Sequence, residues 1–327
     1  MNRIVKGLRA CLLLASCWVA GPAVWAEDPY PARPIKLVVP YSAGGITDIY
    51  ARAVAQRHTE TWARPVVVEN RPGASEIVGA NAVAKAAPDG YTLFFGTDTA
   101  LTLNPLLYSR LPYEARDLAP ILRVNEGIGV MVVRADMAVR SLAEFIAYAR
   151  THSGAVSYGS PGAGTMQHLR MNWLAVQNGF DFIHVPYNGT APAVQAVIAG
   201  TLDTTVSPVT LVEQQIRAGR LKAIAIIGRN RFSGLPDVPS VAELGMPELD
   251  MNLFMVMAAP AATPRAIVDK VARDVAAIVR DEAFEKKYTF RDGYLTVGDT
   301  PEEFRRFIAD AVPRQRQRVA AANAKLD

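Results

Sequence analysis

Cysteine is nearly absent. Cys11 and Cys17 are the only two in 327 residues, and both fall in an N-terminal segment that reads as an export signal. The chain beyond it has no thiol, which excludes a disulfide scaffold, thiolate metal ligands and cysteine redox chemistry. Charge of one sign is scarce too. The formal +4 owes most to Arg3, Lys6 and Arg9 of that segment, and the remainder carries 32 basic against 31 acidic residues. No clustered surplus is left for nucleic acid, and Arg314, Arg316 and Arg318 read as a solvated helix face. Spanning-length apolar runs are missing: Ala10 to Ala20 is too short, and is followed at once by Gly21 and Pro22. The histidines His58, His152, His168 and His184 lack the spacing of a metal-binding helix. His58 and His152 read as surface residues, His168 and His184 as hydrogen-bonding groups near loops. No metal and no cofactor are expected.

The leader has a basic start, an apolar middle and Ala23-Val24-Trp25-Ala26 as a cleavage site, so residues 1–26 are expected to be removed on export. A second possibility is a lipid anchor on Cys17, since Leu14-Ala15-Ser16-Cys17 resembles a lipobox. About 300 remaining residues suit two domains. Apolar runs alternate with helix-period segments, the mark of α/β architecture with parallel strands. The strands are expected at Ile35–Val39, Val66–Glu69, Thr92–Phe95, Gly129–Val133, Val156–Tyr158, Phe182–Val185, Thr204–Val206, Ala223–Ile227 and Phe254–Ala258. Ser141 with Glu144 and Thr300 with Glu303 form capping-box patterns, and Thr263-Pro264 opens a helix with Ile267, Val271, Val275 and Ile278 on one face.

Two glycine turns carry the functional signal. The first, Tyr41-Ser-Ala-Gly-Gly-Ile-Thr-Asp48, follows an apolar strand and enters a helix, yet has no Lys or Arg and no nucleotide-binding pattern. The second, Gly159 to His168, repeats the arrangement in the other half of the chain, with Thr165 placed to cap a helix holding Leu169, Trp173 and Val176. Each turn offers backbone N–H groups and the positive end of a helix dipole, a site for an anion. Facing each other across a cleft, about five such donors at roughly 1.5–3 kcal/mol each suffice for micromolar binding of an anion. Asp48 reads as a residue behind the first turn. Thr97 and Asp98 follow another strand and either line the same crevice or form a local turn. Ser160 is not in a G-x-S-x-G motif, so a hydrolase using Ser160 and His168 is the weaker alternative.

Several motifs in a fixed order then resemble one family: Tyr30-Pro-x-x-Pro with Leu37-Val-Val-Pro40, Ala43-Gly-Gly-x-Thr-Asp48, Glu69-Asn-Arg-Pro-Gly-Ala74, Pro88-Asp-Gly-Tyr-Thr-Leu93, Asn104-Pro-x-Leu-Tyr108, His184-Val-Pro-Tyr187 and Leu235-Pro-x-Val-Pro-Ser240. They resemble the Bug-type (TctC-like) periplasmic solute-binding proteins of tripartite tricarboxylate transporters, across nearly the whole chain. The resemblance implies a two-domain, type II Venus flytrap fold, with 27–127 and 252–327 as one domain and 128–251 as the other. It further implies a periplasmic, monomeric receptor rather than an enzyme, holding a small carboxylate in the cleft and delivering it to a membrane permease. A sensor protein as partner is the alternative. Ligand-binding positions carried over are Tyr41, Ser42, Ala43, Gly44, Thr47, Asp48, Thr97, Asp98, Ser160, Gly162, Gly164, Thr165, His168, Tyr187 and Ser207. The sequence departs from the family pattern at Ser42, at Ser75-Glu76 in place of Gly-Gly, and at Asn172, Ser207, Phe254 and Val256. Glu76 is expected to be a solvated loop residue, the alternative being that it supplies or blocks a partner for a ligand ammonium, which leaves amino-acid binding open.

Overall fold

The computed structural model describes residues 30–162, 165–187, 189–250, 253–289 and 293–321. The leader, Gly164 and the last six residues lie outside these. Within them the strands are β1 (Ile35–Val39), β2 (Val66–Asn70), β3 (Thr92–Thr97), β4 (Leu118–Gly127), β5 (Gly129–Arg134), β6 (Ser157–Ser160), β7 (Ile183–Pro186), β8 (Thr204–Pro208), β9 (Leu221–Ile227), β10 (Phe254–Pro260) and β11 (Tyr294–Thr296). The helices are α1 (Ile46–Trp62), α2 (Ile77–Ala84), α3 (Thr99–Thr102), α4 (Asn104–Leu107), α5 (Leu142–Thr151), α6 (Met166–Asn178), α7 (Thr190–Ile198), α8 (Val209–Arg217), α9 (Arg265–Val279), α10 (Glu282–Phe284) and α11 (Pro301–Ala321).

The strands form two sheets, ordered β11-β4-β10-β3-β1-β2 and β7-β6-β8-β5-β9. Each is apolar on both faces, so helices cover both sides. In the first sheet Leu37, Val39, Phe95 and Met257 pack with Val54 of α1 and Val271 of α9, while Val38, Phe94 and Val256 pack with Ala80 of α2 and Phe304 of α11. In the second, Met131 and Val133 meet Phe145 of α5, and Val130 and Val132 meet Val194 of α7.

The expectation of parallel strands holds only for part of each sheet. β1 runs parallel to β2 and β3, and β6 to β7 and β8, but β10 is antiparallel to β3 and β4, and β5 to β8 and β9. The reason is the crossing: β4 ends at Gly127, β5 begins at Gly129 in the other sheet, and β10 returns to slot between β3 and β4. Ile128 ties the crossings together, its N–H donating to Gly293 O at 2.9 Å and its carbonyl accepting from Val209 N–H at 3.0 Å. A small apolar cluster of Leu103, Leu107, Met166, Leu169 and Val319 joins the two sides through α4, α6 and α11.

Capping occurs where the sequence places it. Thr300 and Glu303 form the full reciprocal box, and Thr165 accepts from His168 N–H. Ser141 accepts from Glu144 N–H, but the Glu144 carboxylate turns to Arg140 N–H instead. Three expectations are corrected. His58 is buried, stacked on Trp62 at 3.9 Å, because α1 packs that face against α9. Arg318 is buried too, donating to Glu248 O, because α11 packs against α6. Glu76 is buried, with only 3% of its surface exposed. Val176 lies in α6 as expected, with its side chain exposed.

Candidate ligand-binding cleft

Open α/β sheets bind ligands beyond the carboxyl ends of their parallel strands. Here those ends from both sheets enclose a cavity of about 360 Å³. Tyr41 follows β1, Glu76 lies beyond β2 and Asn104 beyond β3; from the other side come Thr165 after β6, Ser207 on β8 and Arg170 on α6. Leu103, Met166, Val206 and Tyr294 add apolar lining.

Of the residues singled out from sequence, Tyr41, Thr165 and Ser207 line this cavity directly. Ser42, Ala43 and Gly44 are exposed in the loop beyond β1, with Thr47 buried behind them. Gly44, at φ +84, takes a conformation open to glycine at little cost. Its N–H donates to Asp48 Oδ2 at 2.8 Å, and Asp48 also accepts from Arg52 at 2.9 Å and Asn70 at 2.8 Å. Burial alone would raise the Asp48 carboxyl, but these hydrogen bonds hold it below its ordinary value. Asn70 donates to Tyr41 O as well, so one acid and one amide pin the loop.

Thr97 and Asp98 are both buried. Thr97 turns toward Glu76, while Asp98 accepts from Phe254 N–H at 3.1 Å and from the Thr102 hydroxyl at 3.2 Å, joining β10 to α3. Burial raises Asp98 to about 6. It borders a separate groove with Arg123 and Phe254, not the cavity lined by Glu76.

On the second side Ser160 is fully buried and its hydroxyl lies 2.6 Å from His184 Nε2. It accepts from Gly162 N–H at 3.1 Å, fixing the turn in which Gly162 has φ +139. His168 stacks on His184 at 4.4 Å and meets Asn172 at 3.1 Å, and the Tyr158 hydroxyl donates to Asn172. Burial, with the neighbouring His184 adding to it, lowers His168 to about 4. Burial lowers His184 from its ordinary value as well, so both rings are neutral at pH 7 and act as a scaffold for the turn. Tyr187 contributes its N–H to Ser160 O, and its ring packs in the apolar layer under α7. Ser160 has no exposed surface and does not line the cavity, so its hydroxyl is out of reach of a substrate, and the pairing of Ser160 with His168 is replaced by one with His184.

The model of the tripartite tricarboxylate transporter family receptor matches residues 50–323. The chain belongs to this receptor family. It is similar to protein BugT of Bordetella pertussis, 32% identical over 96% of each chain. Its fold matches the periplasmic binding protein BugD at TM-score 0.75, with 30% identity over 90% of this chain and 99% of the other. It also matches the R. palustris protein Rpa4515, solved with adipate, at TM-score 0.79, with 29% identity over 91% of this chain and 100% of that one. As a member of a receptor family that folds like the periplasmic binding protein BugD, the chain is a solute-binding receptor rather than an enzyme. Among the described residues no helix is long and apolar enough to cross a membrane, and no group of three metal-ligating side chains comes together.

One charged cavity residue, Arg170, escaped the sequence reading, and another, Glu76, was noted there but placed in solvent. Arg170 is 5% exposed and sits on the α6 wall, donating from Nε to Leu249 O at 3.2 Å. Burial lowers its guanidinium to about 9, with Asp250 opposing the shift and Arg318 adding to it, so it is charged at pH 7. The signal was its place five residues after the Thr165 cap, within reach of the first helical turn. Glu76 lines the same cavity, its carboxyl held by Tyr41 and Thr97.

Proposed function

We propose that the receptor captures a small organic acid in this cavity and hands it to the membrane permease of a tripartite transporter. The observation that carries the reading is the cavity itself, walled by strand ends of both sheets and flanked by Arg170 and the first turn of α6. N–H groups of a first helical turn have no partner within the helix and favour an anion. Residues 27–127 with 252–327 make one lobe in this reading, and 128–251 the other. A ligand touching both favours the closed arrangement only as far as it binds that arrangement better. The ligand-binding set comprises Tyr41, Thr165, Ser207 and Arg170, with Asp48, Ser160 and His168 holding the turns in place. The receptor works as a monomer in the periplasm, exported by its leader.

The experiment is thermal unfolding of the purified chain, refolded once to strip bound ligand, against carboxylic acids and neutral controls. A true ligand at about a hundred times its dissociation constant adds roughly 2.7 kcal/mol, a rise of a few degrees. A folded chain that responds to no carboxylate would overturn the reading.

A further inference from the structure

Two segments, the loop after β1 and the end of β3, converge on one carboxyl at the first-sheet wall. The hydroxyls of Tyr41 and Thr97 both donate to Glu76 Oε1, and Thr97 N–H donates to Oε2 at 3.1 Å. Three donors spread over two oxygens make a carboxylate-binding set, and here the chain fills it from within. Beside it Asn104 is fully buried; its Nδ2 donates to Ser75 O at 2.7 Å, and its Oδ1 meets no donor. This wall therefore presents acceptors to the cavity, while the α6 wall presents a cation. The backbone also goes out of its way to put Glu76 there: Ala74, Ser75 and Glu76 have φ of 45°, 48° and 74°, a region L-residues avoid at about 1–2 kcal/mol each.

We propose that Glu76 is an internal carboxylate that occupies the first-sheet half of the site and sets the ligand class. That class is an organic acid with a single carboxylate, directed to the Arg170 wall, whose far end is apolar or carries a hydroxyl or ammonium donor. A second ligand carboxylate would meet Glu76 and Asn104 Oδ1 with the local donors already spent, and two carboxylates in one site repel each other. The inference rests on the receptor reading above.

Calorimetric titration at pH 8, where Glu76 is ionised and Arg170 still charged, of the purified chain stripped of ligand tests it with acids matched except at one end: hexanoate, 6-hydroxyhexanoate, 6-aminohexanoate and adipate, then benzoate, 4-hydroxybenzoate and terephthalate. Wild type is expected to bind its best single-carboxylate acid at least about tenfold tighter than the matching dicarboxylate. Glu76→Gly empties the donor set and suits the φ of +74°, so the dicarboxylate should gain at least about tenfold. Glu76→Gln, which keeps the shape and removes the charge, should move the ratio in the same direction and guards against a folding defect in the glycine variant. Wild type binding a dicarboxylate as tightly as its match, or a ratio unchanged in both variants, overturns the role of Glu76 and leaves the receptor reading standing. Wild type binding none of these acids overturns both.

Discussion

The N–H of Gly44 lies 2.8 Å from Oδ2 of Asp48, and this bond ties the glycine turn to the first turn of its own helix. The same carboxylate holds Arg52 and Asn70, and Asn70 holds the Tyr41 carbonyl. Asp48→Ala removes all three bonds from a group only 3% exposed and should cost about 2–4 kcal/mol of stability. Because the loop carrying Tyr41 loosens with it, affinity should fall about tenfold in the folded variant. Thermal unfolding and titration separate the two effects; a folded variant with undiminished affinity would detach the loop from binding.

Much of this was legible in the chain. β1 has the expected ends because Ile-Lys-Leu-Val-Val lies between Pro34 and Pro40, and the caps at Thr165 and Thr300 act as their residue types dictate. β4 was not visible: Pro120, Arg123, Asn125 and Glu126 break its apolar run, and its pairing with β10 comes from 130 residues away. Short β11, three residues long, lacked any run to read. Glu76 and Arg170 were obscured for one physical reason. A charged side chain is expected in water unless its partners are known, and Tyr41, Thr97 and Leu249 become partners only through the sheet order and the packing of α6 on the turn that ends at Leu249.

Burial is the largest influence on Glu76 and raises its carboxyl from 4.5 to about 7; bonds from Thr97 and Tyr41 oppose the rise and neighbouring Asp98 adds to it. Between those values the folded chain keeps a proton that the unfolded chain releases. Stability therefore falls as pH rises through that window and levels off above it. Glu76→Gln removes this dependence, so its unfolding midpoint relative to wild type should rise between pH 4.5 and pH 8, by an amount on the order of 3 kcal/mol. A constant offset across the range would show that Glu76 ionises freely.

His58 carries the opposite sign. Burial lowers its imidazole from 6.5 to about 4; Asp274 opposes the shift and Lys270 adds to it. Neither ring nitrogen has a hydrogen-bond partner. The unfolded chain gains a proton below pH 6.5 that the folded chain refuses, so stability drops as pH falls from 6.5 toward 4. His58→Phe preserves the stack on Trp62 and should gain about 2 kcal/mol over wild type at pH 5 relative to the difference at pH 8. Equal pH profiles would place the imidazole in contact with water.

Arg170 decides how the anion end of the ligand is held. Its guanidinium is bound to Leu249 O on one side, feels Asp250 and Arg318 nearby, and borders the cavity on the other. Arg170→Met keeps an unbranched apolar stem in the wall and removes the charge. Loss of a hydrogen bond to a charged group is worth about 1.5–3 kcal/mol, so carboxylate affinity should fall roughly ten- to hundredfold. Arg170→Lys restores the charge without the planar fork and should recover only part of that loss. With wild type, affinity should decline as pH rises through about 9, where burial brings the guanidinium into titration. If the methionine variant binds as tightly as wild type, the N–H groups of the α6 turn and the hydroxyls hold the anion alone, and Arg170 serves only to tie α6 to the segment at Leu249.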